Sequence, residues 1–470
     1  MLTYQDLIKV GENKKDRMNF VKKAILQHKT SDFYKNAYDA DLYCKHKNVT
    51  ISKYQKLLYT MSGKTVPDNW SANFKMASRF FHRFVTQENQ FLLGNGVNFE
   101  KQETKEKLGN KSFPIDTQLQ KLGKSALTEG VSFGFFNLDH IEVFSFLEFV
   151  PLYDEEDGSL KAGIRFWQID DKKPLRATLY ELDGYTKYIW NREERPDKTE
   201  DGEILEEKRT YKLKYRETDA EGIEIYDFEN YNGFPIVPLW ANTHHQSELV
   251  GLREQIDCYD LIKSGFANTV DEASIVYWTL TNAGGMDDID LAKFVERMKT
   301  VHAVRIDDDI QAESHTVDAP FQSREALLDR IEKDLYKDAM ALNTYDIANG
   351  TVTATQIKAA YEPLNSKTDD FEYCVNEFLN RILVLAGIDD KFSFTRSKIV
   401  NVSEEVTTIL QSASYLDSEY VTEKILTILG DTDRIEEVLK NIDSDDIKRF
   451  NELDNTDSTE EENINNNNEE

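Results

Sequence analysis

The spacing of apolar residues changes twice along the chain, from helical to alternating and back to helical. Over residues 1–100, apolar side chains recur every three or four positions. In the stretch that stops at Gly94, the positions with this spacing are Phe74, Ala77, Phe81, Phe84 and Val85. This pattern predicts amphipathic helices, and a further helix is predicted over 115–130, closing at Gly130.

The middle of the chain, from Val131 to about Leu239, alternates with a period of two. Asp157–Gly158 and Asp183–Gly184 each lie between two alternating runs. Asp-Gly pairs in that position are typical of tight β-hairpin turns. We therefore predict an antiparallel region of about five to seven strands, so that the chain belongs to the α+β class.

Two long helices are predicted after the β-rich region, and they enclose a short insertion. The apolar positions of the first helix recur from Leu249 to Val270, and the second helix begins at Ser323, a good N-cap residue. The residues predicted to pack in these helices are Leu252, Ile256, Tyr259, Phe266, Leu328, Ile331 and Leu335. Residues 274–320 are predicted to form a small α/β unit at the tip of this helical hairpin.

A third helix follows a polar loop and carries an almost unbroken heptad pattern from Ile357 to Leu385, in which only Thr368 is polar. Pro363 lies inside the pattern and is expected to kink the helix, because proline removes an N–H group and clashes one turn back. The heptad fits two arrangements equally well, packing inside the subunit or a seam between subunits. One strand and short helices are predicted from Gly387 to about Phe450.

The chain is acidic, and the charge is concentrated at one end. It has 57 Lys and Arg against 86 Asp and Glu, a net charge of −29. From 401 to 470 there are 20 acidic and 5 basic residues, and the last twenty residues are predicted to be disordered. Such acidity argues against a free-standing nucleic-acid binder. No apolar run is long enough for a membrane helix, the start of the chain does not read as a signal peptide, and three scattered cysteines favour reduced thiols.

No catalytic or metal-binding motif emerges from the residues. Gly63-Lys64-Thr65 resembles the end of a phosphate-binding loop, but Leu58 stands where that loop needs glycine, and the preceding segment is predicted to be helical. The paired His244-His245 and the acidic runs do not have the spacing of metal ligands. We therefore predict no catalytic residues, no metal and no cofactor.

The order of these elements, with several segments, resembles one protein family. The segments are GLREQIDCYDLIKSGFANTVDEASIVYWTLTNAGG, ENYNGFPIVPLWANTHHQSEL and FTRSKIVNVSEEVTTILQSASYLDSEYVTEKILTIL. The chain resembles the portal proteins of tailed bacteriophages, of the long-tailed siphophage type. The resemblance implies a ring-forming portal fold of about twelve copies at one capsid vertex, with a channel for DNA packaging and ejection. It implies a structural protein and not an enzyme.

The resemblance also implies a division of the chain into parts. These are a wing (1–240), a stem helix (241–273), a clip (274–320), a second stem helix (321–344), a tunnel loop (345–353), a kinked wing helix and strand (354–400), a crown (401–450) and a disordered acidic tail (451–470). The tunnel-loop residues expected to face DNA are Asn349, Gly350, Thr351, Val352 and Thr353.

The partners implied by the resemblance are other copies of the chain, non-specifically contacted double-stranded DNA, the packaging motor (terminase), a head–tail adaptor, and capsid and scaffolding proteins. No membrane partner is implied, and the expected location is the virion, with the host cytoplasm during assembly. Two other hypotheses remain at this point. One is another neck or connector protein of the virion, and the other is a carboxylate-dependent polysaccharide hydrolase, suggested only by acidic and aromatic richness.

Overall fold

The computed structural model describes residues 2–59, 63–69, 71–170, 172–190, 202–218, 224–273, 277–281, 311–315, 321–345, 354–397 and 409–429, with shorter stretches within 287–296 and 406–439. The chain divides into two compact units, Met1–Ser397 and Lys398–Glu470. The predicted disordered tail over 451–470 lies outside the described residues. Across the described helices, none combines the length and the apolar character needed to cross a bilayer.

Helices dominate the described N-terminal residues. They are α1 (Tyr4–Val10), α2 (Lys14–Thr30), α3 (Asp32–Cys44), α4 (Val49–Lys53), α5 (Phe80–Leu93), α6 (Gln102–Leu108) and α7 (Ile115–Glu129). The predicted ends of two helices are confirmed, since Gly94 caps α5 and Gly130 caps α7. Gly130 has φ 94°, the left-handed conformation that glycine adopts without steric cost.

The helix predicted to include Phe74 and Ala77 starts later than expected. It begins at Phe80, and residues 71–79 are not helical. The helix predicted before Gly63 is also wrong, because β1 (Leu57–Tyr59) pairs there with β2 (Thr65–Pro67) as an antiparallel hairpin. Since Gly63 lies in a hairpin turn and no helix follows it, the segment is not a phosphate-binding loop.

The middle of the chain is an antiparallel β region, as predicted, but its described residues form more strands than five to seven. They are β4 (Val131–Asn137), β5 (His140–Ser145), β6 (Phe149–Tyr153), β7 (Leu160–Trp167), β8 (Leu175–Glu181), β9 (Gly184–Trp190), β10 (Gly202–Arg209), β11 (Lys212–Thr218), β12 (Glu224–Glu229) and β13 (Ile236–Trp240). They make a three-stranded sheet in the order β13-β4-β5, a five-stranded sheet in the order β10-β9-β8-β7-β6, and the β11-β12 ribbon. Strand β4 is buried on both faces and therefore does not show the alternation on which the prediction depended.

Both predicted hairpins are confirmed. Strands β6 and β7 pair across the turn that contains Gly158, and β8 pairs with β9 across Leu182 and Asp183. A short strand before α6, β3 (Val97–Phe99), pairs with β16 (Phe392–Phe394) near the end of the first unit. The strand predicted after Gly387 is therefore present.

Three long helices follow the β region. They are α8 (Arg253–Ala273), α9 (Phe321–Asp338) and α10 (Ala354–Ala386). Between α8 and α9, β14 (Tyr277–Thr281) pairs antiparallel with β15 (Gln311–His315), so the described part of the insertion begins and ends as a β ribbon. In the second unit, α11 (Ser418–Leu429) is the longest described helix.

Helix α10 is the centre of the main core. Its heptad positions Phe371, Val375, Phe378 and Ile382 are at most 1% exposed and pack against residues of α5, α7 and the three-stranded sheet β13-β4-β5. Of the two arrangements left open by the heptad, packing inside the subunit is thus the one observed at these positions. The helix continues through Pro363.

The aromatic rings of α10 lie unusually close to two backbone positions. A Cβ on Gly134 of β4 would lie 2.5 Å from Cζ of Phe378, and one on Gly123 of α7 would lie 3.1 Å from Cζ of Phe371. Glycine at 134 permits the sheet to approach α10 this closely, and glycine at 123 leaves room for Asn89 of α5 as well as for α10.

Candidate functional site

The buried face of α8 changes from apolar to polar along its length. Leu252 and Ile256 are buried near its start. The next three buried positions, each four residues further on, are Asp260, Ser264 and Asn268, and they are at most 5% exposed. A helix that ordinarily buries a hydrophobic stripe therefore buries a line of hydrogen-bonding side chains here.

These three side chains bind the backbone of the non-helical segment 71–79. Asp260 Oδ1 accepts the N–H of Ser78 at 2.9 Å, Ser264 Oγ that of Met76 at 3.0 Å, and Asn268 Oδ1 that of Phe74 at 2.7 Å. We call this set of contacts the polar ladder.

The geometry of the two chains explains the match. Positions four apart on a helix are about 6 Å apart along its axis, and alternate residues of an extended chain are about 6.6 Å apart. Each acceptor thus meets one N–H group that has no partner in regular secondary structure. Such groups need partners when they are shielded from water.

A second group of polar contacts ties α8 to α3 and to the region of α4. Asn48 Nδ2 donates to Asp260 Oδ2 at 2.8 Å, and Thr50 Oγ1 donates to Asp257 Oδ2 at 2.7 Å. The Tyr43 hydroxyl also donates to Asp257. Burial raises the pKa of Asp260, and burial together with the bond to Asp257 raises the pKa of Tyr43 to about 12. At neutral pH Tyr43 therefore stays a hydrogen-bond donor.

Helices α8 and α9 contact each other through aromatic and polar side chains. The rings of Phe266 and Phe321 have centroids 5.5 Å apart, and Arg324 Nη1 donates to Thr269 Oγ1 at 2.7 Å. Leu335 of α9 is fully buried.

A buried lysine connects the bases of both helices to the core. Lys367 of α10 lies 2.8 Å from Oε2 of Glu88 in α5 and 2.7 Å from Oε2 of Glu248, which precedes α8. Its ammonium group also donates to the carbonyl oxygen of Ala339, directly after α9, at 3.3 Å. One side chain on α10 thereby fixes the start of α8 and the end of α9 to α5.

The charges of this cluster do not cancel, since two carboxylates share one ammonium group. Burial lowers the pKa of Lys367, but Glu88 and Glu248 outweigh it and hold that pKa above its usual value. Burial raises the pKa of Glu88 to about 7, and the neighbouring Glu248 acts in the same direction. Lys367 is therefore always charged, while Glu88 takes up a proton close to neutral pH.

Comparison with known proteins places the chain in a family. A family profile described as "Phage portal protein, SPP1 Gp6-like" matches residues 32–448, most of the chain. The chain belongs to this phage portal family.

Two relatives are also named portal proteins. The portal protein of Bacillus phage SPP1 is 21% identical over 405 residues, covering 77% of this chain and 75% of that protein. The portal protein of Clostridium phage phiCD119 is 23% identical over 290 residues, covering 58% of this chain. The chain spans 60% of the length of the phiCD119 protein.

Solved structures that align with about three quarters of this chain come from gene transfer agent particles. A chain from the virion of the native particle gives a TM-score of 0.42 at 11% identity, covering 74% of this chain and 89% of that chain. A chain from the neck of the native particle gives 0.41 at 9% identity, with the same coverage.

The residues predicted to pack in the stem helices or to face DNA fall into three groups, which are buried, half-buried or outside the described residues. Leu252, Ile256 and Leu335 are buried in the main core, where Tyr259 packs edge-on against Phe80 with ring centroids 4.9 Å apart. Leu328 and Ile331 are half-buried, and Phe266 packs on α9. The predicted tunnel-loop residues lie outside the described residues; they are Asn349, Gly350, Thr351, Val352 and Thr353.

Sequence reasoning missed the polar ladder and the role of Lys367. The signal for the ladder was present, since Asp260, Ser264 and Asn268 are spaced four apart beside an apolar stripe. No comparable signal marks Lys367, because a lysine between heptad positions ordinarily faces solvent. Among the described residues, no group of three or more His, Cys, Asp or Glu side chains could hold a metal ion.

Proposed function

We propose that the chain is the repeating subunit of a closed ring of about twelve copies at one vertex of a phage capsid. Membership of the portal family over residues 32–448 is the observation that carries this proposal. The ring would be a component of the virion that assembles in the host cytoplasm.

The centre of the ring forms a channel through which double-stranded DNA enters during packaging and leaves during ejection. The subunit has no catalytic step of its own, and the packaging motor supplies ATP hydrolysis. The motor and later the head–tail adaptor dock on the clip, whereas capsid and scaffolding proteins surround the wing.

The parts of the subunit follow the order of the elements. Residues 1–240 form the wing, 241–273 and 321–344 the stem, 274–320 the clip and 345–353 the tunnel loop. Residues 354–400 return to the wing, and 401–450 form the crown. The uncharged stretch from Asn349 to Thr353 lines the narrowest point and contacts the DNA backbone without holding it.

The described contacts support this division mechanically. In the proposed ring, the hairpin of α8 and α9 carries the clip at its tip. It must therefore transmit force from the clip to the body of the ring. The polar ladder joins α8 to that body, and Lys367 fixes Glu248 before α8 and Ala339 after α9.

Mass photometry of the purified full-length chain tests the assembly step. We expect a discrete species near the mass of about twelve subunits of 54.4 kDa each. A single monomer peak at micromolar and nanomolar concentrations would contradict the proposal.

A further inference from the structure

The chain contains one basic stretch that its net charge of −29 conceals. Between Lys45 and Arg83 there are eight Lys and Arg residues, and the single carboxylate is Asp68. This stretch joins α3 to α5 and includes segment 71–79 of the polar ladder. The potential close to a cluster of positive charges stays positive, because salt screens the negative charges that lie far from it.

Two of these cations line one cavity. It has a volume of about 400 Å³ and opens between the α3–α4 region and segment 71–79. His46, Lys47 and Lys75 line it, with Asn48 and Ser52, and its lining residues include no carboxylate. The Lys75 ammonium group is held at the rim by a 2.7 Å bond to the carbonyl oxygen of Ser52.

Further positive charges lie beside the cavity. Burial, and then the charges of Arg79 and Lys124, lower the pKa of His46. The His46 Nδ1 atom is shielded from solvent and has no hydrogen-bond partner among the described residues, and the residue has a left-handed φ of 62°. A buried polar atom held in a strained backbone conformation indicates a place where a ligand can supply the missing partner.

The positive charges are not neutralised within the subunit. In the part of the chain that the structure describes, Lys47, Arg79 and Lys124 have no carboxylate within ion-pair distance, whereas Lys45 pairs with Asp41 at 2.7 Å. Other surface lysines are paired as well, such as Lys35 with Asp32 at 3.0 Å. Three cations without a carboxylate partner therefore lie at or beside a cavity whose lining carries no carboxylate.

We propose that Lys47, Lys75, Arg79 and Lys124, the basic surface, bind the phosphate backbone of nucleic acid, and that the uncharged ring of His46 beside them supplies a hydrogen bond. Phosphates spread along a strand match ammonium and guanidinium groups spread along a segment, and their neutralisation releases bound counterions. The choice of nucleic acid among polyanions rests on the proposed function, which brings double-stranded DNA to the ring. The surface lies within one subunit, so its test does not require the ring.

The test uses the full-length chain and a short fluorescent DNA duplex, with binding followed by fluorescence anisotropy at several salt concentrations. The triple variant Lys47→Gln, Lys75→Gln, Arg79→Gln removes three of the charges. The control variant Lys9→Gln, Lys35→Gln, Lys107→Gln removes three exposed, paired charges, so both variants have the same net charge. Thermal melting verifies that each variant is folded, and the single variant Lys47→Gln is the substitute if the triple variant is unstable.

We expect the affinity of the unaltered chain to fall with log salt at a slope of about −3 to −4, as three to four neutralised phosphates require. The triple variant should bind at least about tenfold more weakly, and the control less than about twofold. Equal losses in both variants, or no binding by the unaltered chain, would overturn the proposal. Polyglutamate that competes as well as DNA at equal charge would also overturn it, in favour of an acidic protein partner.

Mass photometry of the same samples separates this result from the proposed function. Rings that do not bind DNA would reject the basic surface and leave the ring intact. A monomer that binds DNA through these residues would reject the ring and support the basic surface.

Discussion

At the scale of single residues, the cluster around Lys367 is the most consequential arrangement in the described structure. A lysine that is 13% exposed holds two carboxylates from different elements at 2.7 and 2.8 Å. Buried ion pairs add little net stability when they form, but removal of one partner leaves an uncompensated charge. The cluster therefore acts as a specific connection that is costly to break.

Replacement of Lys367 with Met should lower the free energy of unfolding by about 3–5 kcal/mol, because Glu88 and Glu248 would be left without a cation. Lys358→Met on the exposed side of the same helix is the control, with an expected change below about 0.5 kcal/mol. Urea unfolding followed by circular dichroism measures both. Equal stabilities of the two variants would show that Lys367 does not hold the cluster.

Glu129 at the end of α7 should make the free energy of unfolding depend on pH. It accepts hydrogen bonds from Ser145 Oγ at 2.8 Å and from the N–H of Phe146 at 2.7 Å, yet burial raises its pKa to about 7. Because this pKa lies above the unfolded value of 4.5, its stabilising contribution is complete below about pH 4.5 and is lost as the pH rises through about 7.

The unfolding free energy of the unaltered chain should therefore fall relative to that of Glu129→Gln between about pH 5 and pH 8. The glutamine is isosteric and carries no charge, so only the titration is removed. Chemical denaturation at a series of pH values measures the difference. Parallel stability curves for the two proteins would mean that Glu129 is ionised in the folded state throughout this range.

Close approach at Gly134 gives a third prediction. A methyl group there would lie 2.5 Å from the ring of Phe378, which is fully buried in the core, so Gly134→Ala should destabilise the protein by about 1–3 kcal/mol. Gly265→Ala on α8 is the matched control, since nothing lies within 4 Å of the added methyl group. It should stabilise the helix by up to about 1 kcal/mol. A thermal shift of the same sign for both variants would contradict this account.

At the scale of elements, the polar ladder attaches a non-helical segment to a helix by side chains alone. If Asn268 is replaced with Ala, the N–H of Phe74 loses its acceptor, and amide hydrogen exchange in residues 71–79 should accelerate. The exposed Cys258 on the same helix supplies the control variant Cys258→Ala, which should leave that exchange unchanged. Hydrogen exchange with mass spectrometry detects the difference. Unaltered protection in the Asn268→Ala variant would show that the ladder does not hold the segment.

The sequence predicted those elements whose signals are local. Glycine caps marked the ends of α5 and α7, Asp-Gly pairs marked two hairpins, and the heptad marked the buried face of α10. These features depend on residues within a few positions of one another.

Other features depend on partners far along the chain and could not be predicted. Residues Phe74 and Ala77 have helical spacing, but the side-chain acceptors that hold their segment out of a helix lie 182 to 194 residues later. Propensity is a weak prior when tertiary contacts compete with it. The pairing of Lys367 with Glu88 is equally non-local.

At the scale of the whole molecule, net charge and local charge lead to different conclusions. A net charge of −29 argues against general affinity for DNA, and it favours a channel wall that does not retain its cargo. The uncompensated cations around Lys47 and Arg79 nonetheless form a basic surface on the same subunit. The two observations are compatible, because screening at cellular salt confines each field to about 8–10 Å.

The central claim is that the chain assembles into a ring around a DNA channel, and cryo-electron microscopy of the purified full-length protein tests it most directly. We predict a closed ring of about twelve subunits in which α8 and α9 surround the central axis and residues 349–353 form its narrowest point. A monomer, an open filament, or a ring with α8 and α9 on its outer surface would contradict the account.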